Sequence, residues 1–348
     1  MKLGNRFGTH RVKSPKGVLP QAAEIIDNSM DIYDNELLID VLTLNIDSAS
    51  FTQIKKACNN DLTLIANMIM EIVNTKGKMQ NPVTGSGGML LGTISQIGSS
   101  FPTNYQVGDK IATLVSLSLT PLTIEKIKAI HLDNDQVDIV GKAILFESGI
   151  MAKMPSDLDP LVALSAFDVA GAPAQVAKLV KTGDHVCVIG AAGKSGLLCC
   201  VQARKSVGKS GKVYGIIYDA QQLPDLESLH VCDHILFADA TNPLNVYESV
   251  LNASKNQKMD VCINCVNVPN TEMASIMITK DFGTVYFFGM ATSFQKAALG
   301  AEGIASEAYL MIGNGYTSGH GEFTLDLLRE FPQLLKIFQT RYGKKELS

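Results

Sequence analysis

The chain has 348 residues, 46% hydrophobic and 18% charged, with a formal net charge of −4. Length and composition fit a soluble enzyme of two domains, each able to bury a core. No block of Lys and Arg concentrates positive charge, which argues against nucleic acid or an anionic membrane surface as partner, and no apolar run approaches the roughly 18 residues of a membrane span.

Met1 to Lys13 is basic (Lys2, Arg6, Arg11, Lys13) but lacks the apolar run of a secretory leader, so the expected location is cytoplasmic. Seven cysteines, including Cys187, Cys199, Cys200 and Cys232, are scattered through apolar segments and are expected to be reduced. Glu36 to Leu44 and Met89 to Gly98 read as strands bounded by turn residues. Between them, Asn60 and Asp61 precede apolar residues at 62, 65, 69 and 72, the spacing of a capped helix that packs on a core. A substrate lid or subunit contact is its second reading. Val107-Gly108-Asp109-Lys110-Ile111 is a turn into another strand, and the chain stays β-rich to about residue 160.

From Pro160 the pattern changes. One helix is predicted through Lys181, then strands at 185–189, 212–219, 234–238, 259–266 and 283–288, with a helix at about 194–206. Apolar strands alternating with helices imply a doubly wound parallel sheet covered on both faces. An amphipathic segment covers 325–338. Cys262 and Cys265 form a C-x-x-C, but residues three apart on a strand face opposite ways, so a shared metal ion is not expected there.

The segment Gly190-Ala191-Ala192-Gly193-Lys194-Ser195-Gly196 follows the 185–189 strand and contains Gly-Lys-Ser. A triphosphate-binding loop requires a glycine five residues before Gly193, where Val188 stands. A dinucleotide fingerprint instead places a tight turn after the strand, a glycine beside the pyrophosphate and a third where helix meets strand. Ala191-x-Gly193-x-x-Gly196 fits with alanine in its first place, and Lys194 and Ser195 then face the pyrophosphate at the helix N-terminus. Asp219 closes the next strand 23 residues after Gly196, where a carboxylate accepts hydrogen bonds from the adenosine ribose and repels a 2′-phosphate. That favours NAD over NADP; a solvated turn residue is the plainer reading of Asp219.

This order of domains, with the Val107–Ile111 turn, Leu158-Asp159-Pro160 and the Phe282–Gly289 strand, resembles the medium-chain dehydrogenase/reductase superfamily. The resemblance implies an α/β chain with a GroES-like β-rich catalytic domain (1–160), a Rossmann NAD-binding domain (161–302) and a C-terminal segment (303–348) returning to the catalytic domain. Zinc-dependent members carry ligands where this chain has Leu44 to Phe51 and Gly85-Ser86-Gly87-Gly88, without Cys or His, so no metal is expected. Phe7 to Val12, Pro15 to Gln21, Ile32 to Glu36 and Asn45 to Gln53 are similar to the L-erythro-3,5-diaminohexanoate dehydrogenases, a zinc-independent branch. That similarity implies NAD-dependent oxidative deamination at C3 of a diamino acid in lysine fermentation, by a homodimer or homotetramer.

Such chemistry needs a group that takes a proton from the reacting amine, an acidic partner for the second ammonium and a clamp for the carboxylate. Asp47, at the place of a zinc ligand in the relatives, is the candidate base, with Ser48 and Ser50 as neighbouring donors; the alternative is a cap on the turn after its strand. Asp168, near the relatives' last zinc ligand, is the candidate ammonium partner, with an internal ion pair or a surface helix position as the alternatives. His10 is the candidate proton relay and Arg11 the candidate carboxylate clamp, with surface or hydrogen-bonded roles as the plainer reading. Two other functions compete. A zinc-independent quinone or enoyl reductase shares the glycine turn but usually prefers NADPH, against Asp219; a non-catalytic dinucleotide sensor gives the acids at 47 and 168 nothing to hold.

Overall fold

Residues 2–313 and 315–343 are described by the structure, a computed structural model. The chain divides into two units, one of Met1–Asp168 with the chain from Arg341, the other Val169–Thr340.

In the first unit a short ribbon, β1 (Val12–Ser14) with β2 (Ile25–Ile26), precedes an antiparallel sheet of β3 (Glu36–Asn45), β4 (Met89–Ile97), β5 (Lys110–Thr113), β6 (Leu122–His131), β7 (Gln136–Phe146) and β8 (Met151–Lys153). Its order is β6-β7-β3-β4-β5-β8, so β3 lies inside the sheet, paired along its whole length with β7 and β4. Two helices, α1 (Ser48–Ala57) and α2 (Leu62–Lys76), connect β3 to β4, and α3 (Pro160–Asp168) ends the unit. The predicted helix over 60–73 is α2. Asp61 caps it through Thr63 and Leu64 N–H at 2.8 and 2.9 Å, and Gly77, at φ 75°, ends it. Ile65, Ile69 and Val73 bury into a core shared with Leu37 and Ile39 of β3 and Phe51 of α1.

The second unit begins at α4 (Gly171–Leu179) and alternates β9 (His185–Ile189), α5 (Lys194–Val207), β10 (Lys212–Ile217), α6 (Leu223–Ser228), β11 (His234–Phe237), α7 (Pro243–Ser254), β12 (Met259–Asn264), α8 (Glu272–Ile278), β13 (Thr279–Phe287), α9 (Phe294–Gly303) and β14 (Tyr309–Ile312) before α10 (His320–Glu330) and α11 (Pro332–Tyr342). All pairings are parallel, in the order β11-β10-β9-β12-β13-β14. The chain runs outward from β9 through β10 to β11, then returns to β12 on the other side of β9. Its strand order therefore reverses between β9 and β12, the position where such sheets bind ligands beyond their carboxyl ends.

Three expectations need correction. The single helix predicted from 160 to 181 is two, α3 and α4, because the chain passes between units at 168–169. The amphipathic segment over 325–338 breaks at Phe331, since Pro332 disfavours helical backbone in the residue before it. Residues 303–340, expected to return to the first unit, belong to the second: β14 completes the parallel sheet, and Thr324 Oγ1 donates to Ala170 O at 3.1 Å. Residues 344–348 of that segment lie outside the described residues.

Candidate functional site

In the second unit, the site is built where β9 ends. Gly190, at φ 80°, turns the chain, and the Gly190 and Ala191 N–H groups both donate to Ile216 O of β10 at 3.0 Å. The tight turn is thus made by Gly190, one residue before the Ala191 that stands first in the fingerprint spacing; Ala191 is buried against the sheet. Gly193 caps α5, and a Cβ there would meet only Gly190 O, at 3.3 Å. At Gly196 a Cβ would lie 2.0 Å from Gly190 O, so only glycine lets α5 sit this close to the strand. The N-cap of α5, Gly193, brings no side chain to its first turn, where Lys194 and the largely buried Ser195 follow. An approachable turn at the positive end of a helix suits a pyrophosphate, so these residues fit a dinucleotide.

Beside the turn, a cavity of about 340 Å³ opens over the ends of β9, β10, β11 and β12, walled by Gly190, Ile217, Tyr218, Asp239, Thr241 and Val266 among others. Asp219 is exposed one residue past Tyr218, and its Oδ1 accepts from Gln221 N–H at 2.8 Å, so it also caps the following turn. Sequence reasoning missed Asp239, which lines the cavity itself. Hydrogen bonds from the Thr241 hydroxyl and N–H hold its carboxyl below the ordinary range. Its signal was available: an acidic residue closing the strand after β10, as Asp219 closes β10.

In the first unit, Asp47 stands two residues past β3 as the N-cap of α1. Its Oδ1 accepts from Ser50 N–H at 3.0 Å; its Oδ2 is buried with no hydrogen-bond partner. Ser48 turns elsewhere, donating to Asp135 Oδ2 at 2.9 Å, and Ser50 Oγ is bonded to Thr84 Oγ1 at 2.5 Å. Gly88, at φ 88°, presses on this corner: a Cβ would lie 2.0 Å from Asn45 O and 2.7 Å from Asp47 N. The glycine run therefore serves close backbone approach. Asp168 is the half-buried last residue of α3, at a helix end rather than inside an apolar helix. Among the described residues, no three His, Cys, Asp or Glu side chains converge as a metal site.

His10 and Arg11 are brought together with Glu36, away from Asp47. Arg11 is 1% exposed; its Nε and Nη2 donate to Glu36 at 2.7 and 2.6 Å, and its remaining N–H groups reach the carbonyls of Asp27, Ser29 and Asp31. All five donors are engaged, which leaves none for a substrate carboxylate. His10 Nδ1 accepts from Asn5 N–H at 3.0 Å, so Nε2 donates to Glu36 Oε1 at 2.9 Å. Burial alone would raise the Glu36 pKa, but hydrogen bonds from His10, Arg11 and Tyr33 N–H, with the Arg11 charge, bring it down to about 2. Glu36 opens β3 and Asp47 follows its end; ten strand residues span about 30 Å. The relay and clamp roles expected of His10 and Arg11 are corrected accordingly: both fasten the N-terminal segment to β3. Lys78 does similar work, donating to Pro20 O at 2.6 Å and to Gln21 O, with burial and nearby Lys76 lowering its pKa to about 8.

The cysteines are free, and Cys262 and Cys265 have different neighbours: Cys265 Sγ lies 3.9 Å from Cys199 Sγ, while Cys262 is the cross-strand partner of Cys187. Burial pushes the Cys187 and Cys199 thiols well up, away from the thiolate. No single helix among the described residues is long and apolar enough to cross a membrane.

A family profile described as the L-erythro-3,5-diaminohexanoate dehydrogenase N-terminal domain matches residues 10–155. A protein named L-erythro-3,5-diaminohexanoate dehydrogenase from Acetoanaerobium sticklandii is 55% identical over 341 residues, 97% of this chain and 99% of the relative. One of the same name from Fusobacterium nucleatum is 54% identical over 344 residues, 98% of this chain and 100% of the relative. Among solved structures, an alcohol dehydrogenase from Thermotoga maritima has a TM-score of 0.56 at 14% identity, covering 89% of this chain and 86% of its own. That likeness concerns the fold alone, a GroES-like β-rich domain together with a Rossmann domain. Identity above one half along nearly the whole of both relatives places the chain in a narrower group: it belongs to the L-erythro-3,5-diaminohexanoate dehydrogenase family.

Proposed function

We propose that this protein catalyses the oxidative deamination of L-erythro-3,5-diaminohexanoate at C3, giving 5-amino-3-oxohexanoate and ammonium, with NAD as its cofactor. The observation that carries the reading is identity of 54–55% over nearly full length to two dehydrogenases of that name. The same identity disfavours the quinone or enoyl reductase reading.

A nicotinamide dinucleotide, when bound, accepts the hydride that leaves C3. The residues that would hold it are Gly190, Ala191, Ala192, Gly193, Lys194, Ser195 and Gly196 at its pyrophosphate and Asp219 at its adenosine ribose. Hydride leaves a carbon bearing nitrogen only when the nitrogen lone pair is free, so the substrate ammonium must first lose a proton. Asp47 is the proposed acceptor, because its Oδ2 is buried and unpartnered while Oδ1 remains on the helix cap. It then releases that proton to solvent, the net proton of the oxidation. Asp168 is the proposed partner of the second ammonium, and Ser48 supports the corner through Asp135. The account needs no metal ion.

Substituting Asp219→Ala should raise the NADP/NAD ratio of kcat/KM about tenfold or more, the effect of removing one ribose-bound carboxylate. An unchanged ratio would move the preference for NAD to another group, Asp239 first. Free buried thiols suit a reducing compartment, so the cytoplasm is the proposed location. The outer edge of β14, with Tyr309 and Ile312 60 and 61% exposed, supports a homodimer or homotetramer as the working assembly. The functional reading itself is tested by following NADH with 3,5-diaminohexanoate beside lysine, β-lysine, a simple alcohol and a quinone. The first should be strongly preferred; equal or better turnover of an alcohol or quinone would overturn the assignment.

A further inference from the structure

Among the described residues, six buried side-chain nitrogen or oxygen atoms have no hydrogen-bond partner, and four stand on two short stretches of the first unit: Asn45 Nδ2, Asp47 Oδ2, Asn134 Oδ1 and Gln136 Oε1. Leaving such an atom unmet is costly, so native interiors hold few of them. Three of the four, Asn45 Nδ2, Gln136 Oε1 and Asp47 Oδ2, lie at the end of β3 and call for a polar group that meets them.

Asn45 ends β3 and pairs directly with Gln136, the first residue of β7; both are 0% exposed. Gln136 Nε2 donates to Asn45 Oδ1 at 3.2 Å and to Ser165 Oγ of α3 at 3.3 Å. Turning both amides over only exchanges which one keeps the free N–H and which the free oxygen; turning one alone sets like atoms against each other. Every consistent arrangement therefore leaves one amide N–H and one amide oxygen unmet. Ile46 enters the apolar core, and Asp47 lies one residue beyond it, two past Asn45, with its own backbone extended at φ −58°, ψ 146°. The corner then offers one donor and two acceptors, the second acceptor being Asp47 Oδ2.

The complement of one donor and two acceptors is a molecule with two hydrogens and a lone pair. Water provides these and keeps a second lone pair in reserve. An ammonium, with three hydrogens and no lone pair, leaves the amide N–H unmet. Resting on the deamination reading above, we propose that Asn45, Gln136 and Asp47 hold the water that hydrolyses the iminium left at C3. The water oxygen forms the C–O bond as the C=N π pair moves onto nitrogen, and one water proton passes to Asp47. Asp47 returns that proton to the nitrogen of the carbinolamine. The C–N bond then breaks as the hydroxyl oxygen forms C=O, and its proton goes to the departing ammonia. Iminium and water become ketone and ammonium, and Asp47 ends as a carboxylate.

Rapid mixing of enzyme, NAD and either ordinary or 3-deuterated 3,5-diaminohexanoate tests this. Asn45→Leu and Gln136→Leu should each keep a first burst of NADH, one per site, near the wild-type rate. Steady-state turnover should fall about tenfold or more, on the scale of a lost hydrogen bond to the attacking water. The steady-state deuterium effect should shrink towards unity as hydrolysis becomes limiting. A burst that falls in step with turnover, or turnover that does not change, overturns the water assignment. Should either variant fail to fold, a high-resolution crystal structure of the wild type decides: an ordered water within hydrogen-bond distance of both amides and Asp47 is expected, and its absence overturns the proposal. Wild-type enzyme that makes no NADH from this substrate overturns the deamination reading instead, before any variant is compared.

Discussion

Asp47→Asn should lower turnover by about 10²–10⁴-fold, the usual contribution of a positioned acid or base, while leaving NADH affinity near wild type. The substitution preserves shape. An asparagine oxygen still accepts from Ser50 N–H, so the cap on α1 survives and the fold is kept. What is lost is the buried, unpartnered Oδ2, replaced by an amide that cannot take a proton. The residues proposed to hold the dinucleotide belong to the other unit, which is why binding and turnover should separate. Steady-state kinetics with fluorescence titration of NADH checks this, and near-normal turnover would remove Asp47 from the mechanism.

Arg11→Ala should cost about 3–5 kcal/mol of stability, since it leaves the Glu36 carboxylate buried without its main counter-charge. Urea denaturation followed across pH gives the number and a second signature. In the wild type the Glu36 pKa lies at about 2, below its ordinary 4.5, so the folded state favours the carboxylate. Its contribution is complete above about pH 4.5 and is lost as pH falls towards 2. Without Arg11 the folded pKa rises, and the wild-type advantage over the variant should narrow across that window. A variant as stable as wild type would show that the clamp is dispensable. Folded variant should retain NADH affinity and turnover, which separates this residue from Asp47.

The contrast between Asp47 and Arg11 shows what could be read from the chain alone. His10-Arg11 and Asp47 both read as reactive groups, because residue type does not reveal burial or partners. Only the structure shows Arg11 with five engaged donors and Asp47 with an oxygen left over. The second unit was legible because apolar strands, a glycine turn and intervening helices carry their periodicity locally. The turn that ends β9 is made by Gly190, at φ 80°, immediately before the Ala191-x-Gly193-x-x-Gly196 spacing. The Asn45–Gln136 pair was illegible: 91 residues separate the two, and their meeting depends on the β3–β7 register, with shifts along the strand. The 168–169 crossing was hidden as well, because the helices on either side are both apolar enough to read as one.

The central claim is that this chain removes an amine by oxidation. Purified protein with NAD and L-erythro-3,5-diaminohexanoate, assayed for NADH and ammonium together, should yield the two in equal amounts with 5-amino-3-oxohexanoate as the carbon product. NADH without ammonium, or neither, would contradict it.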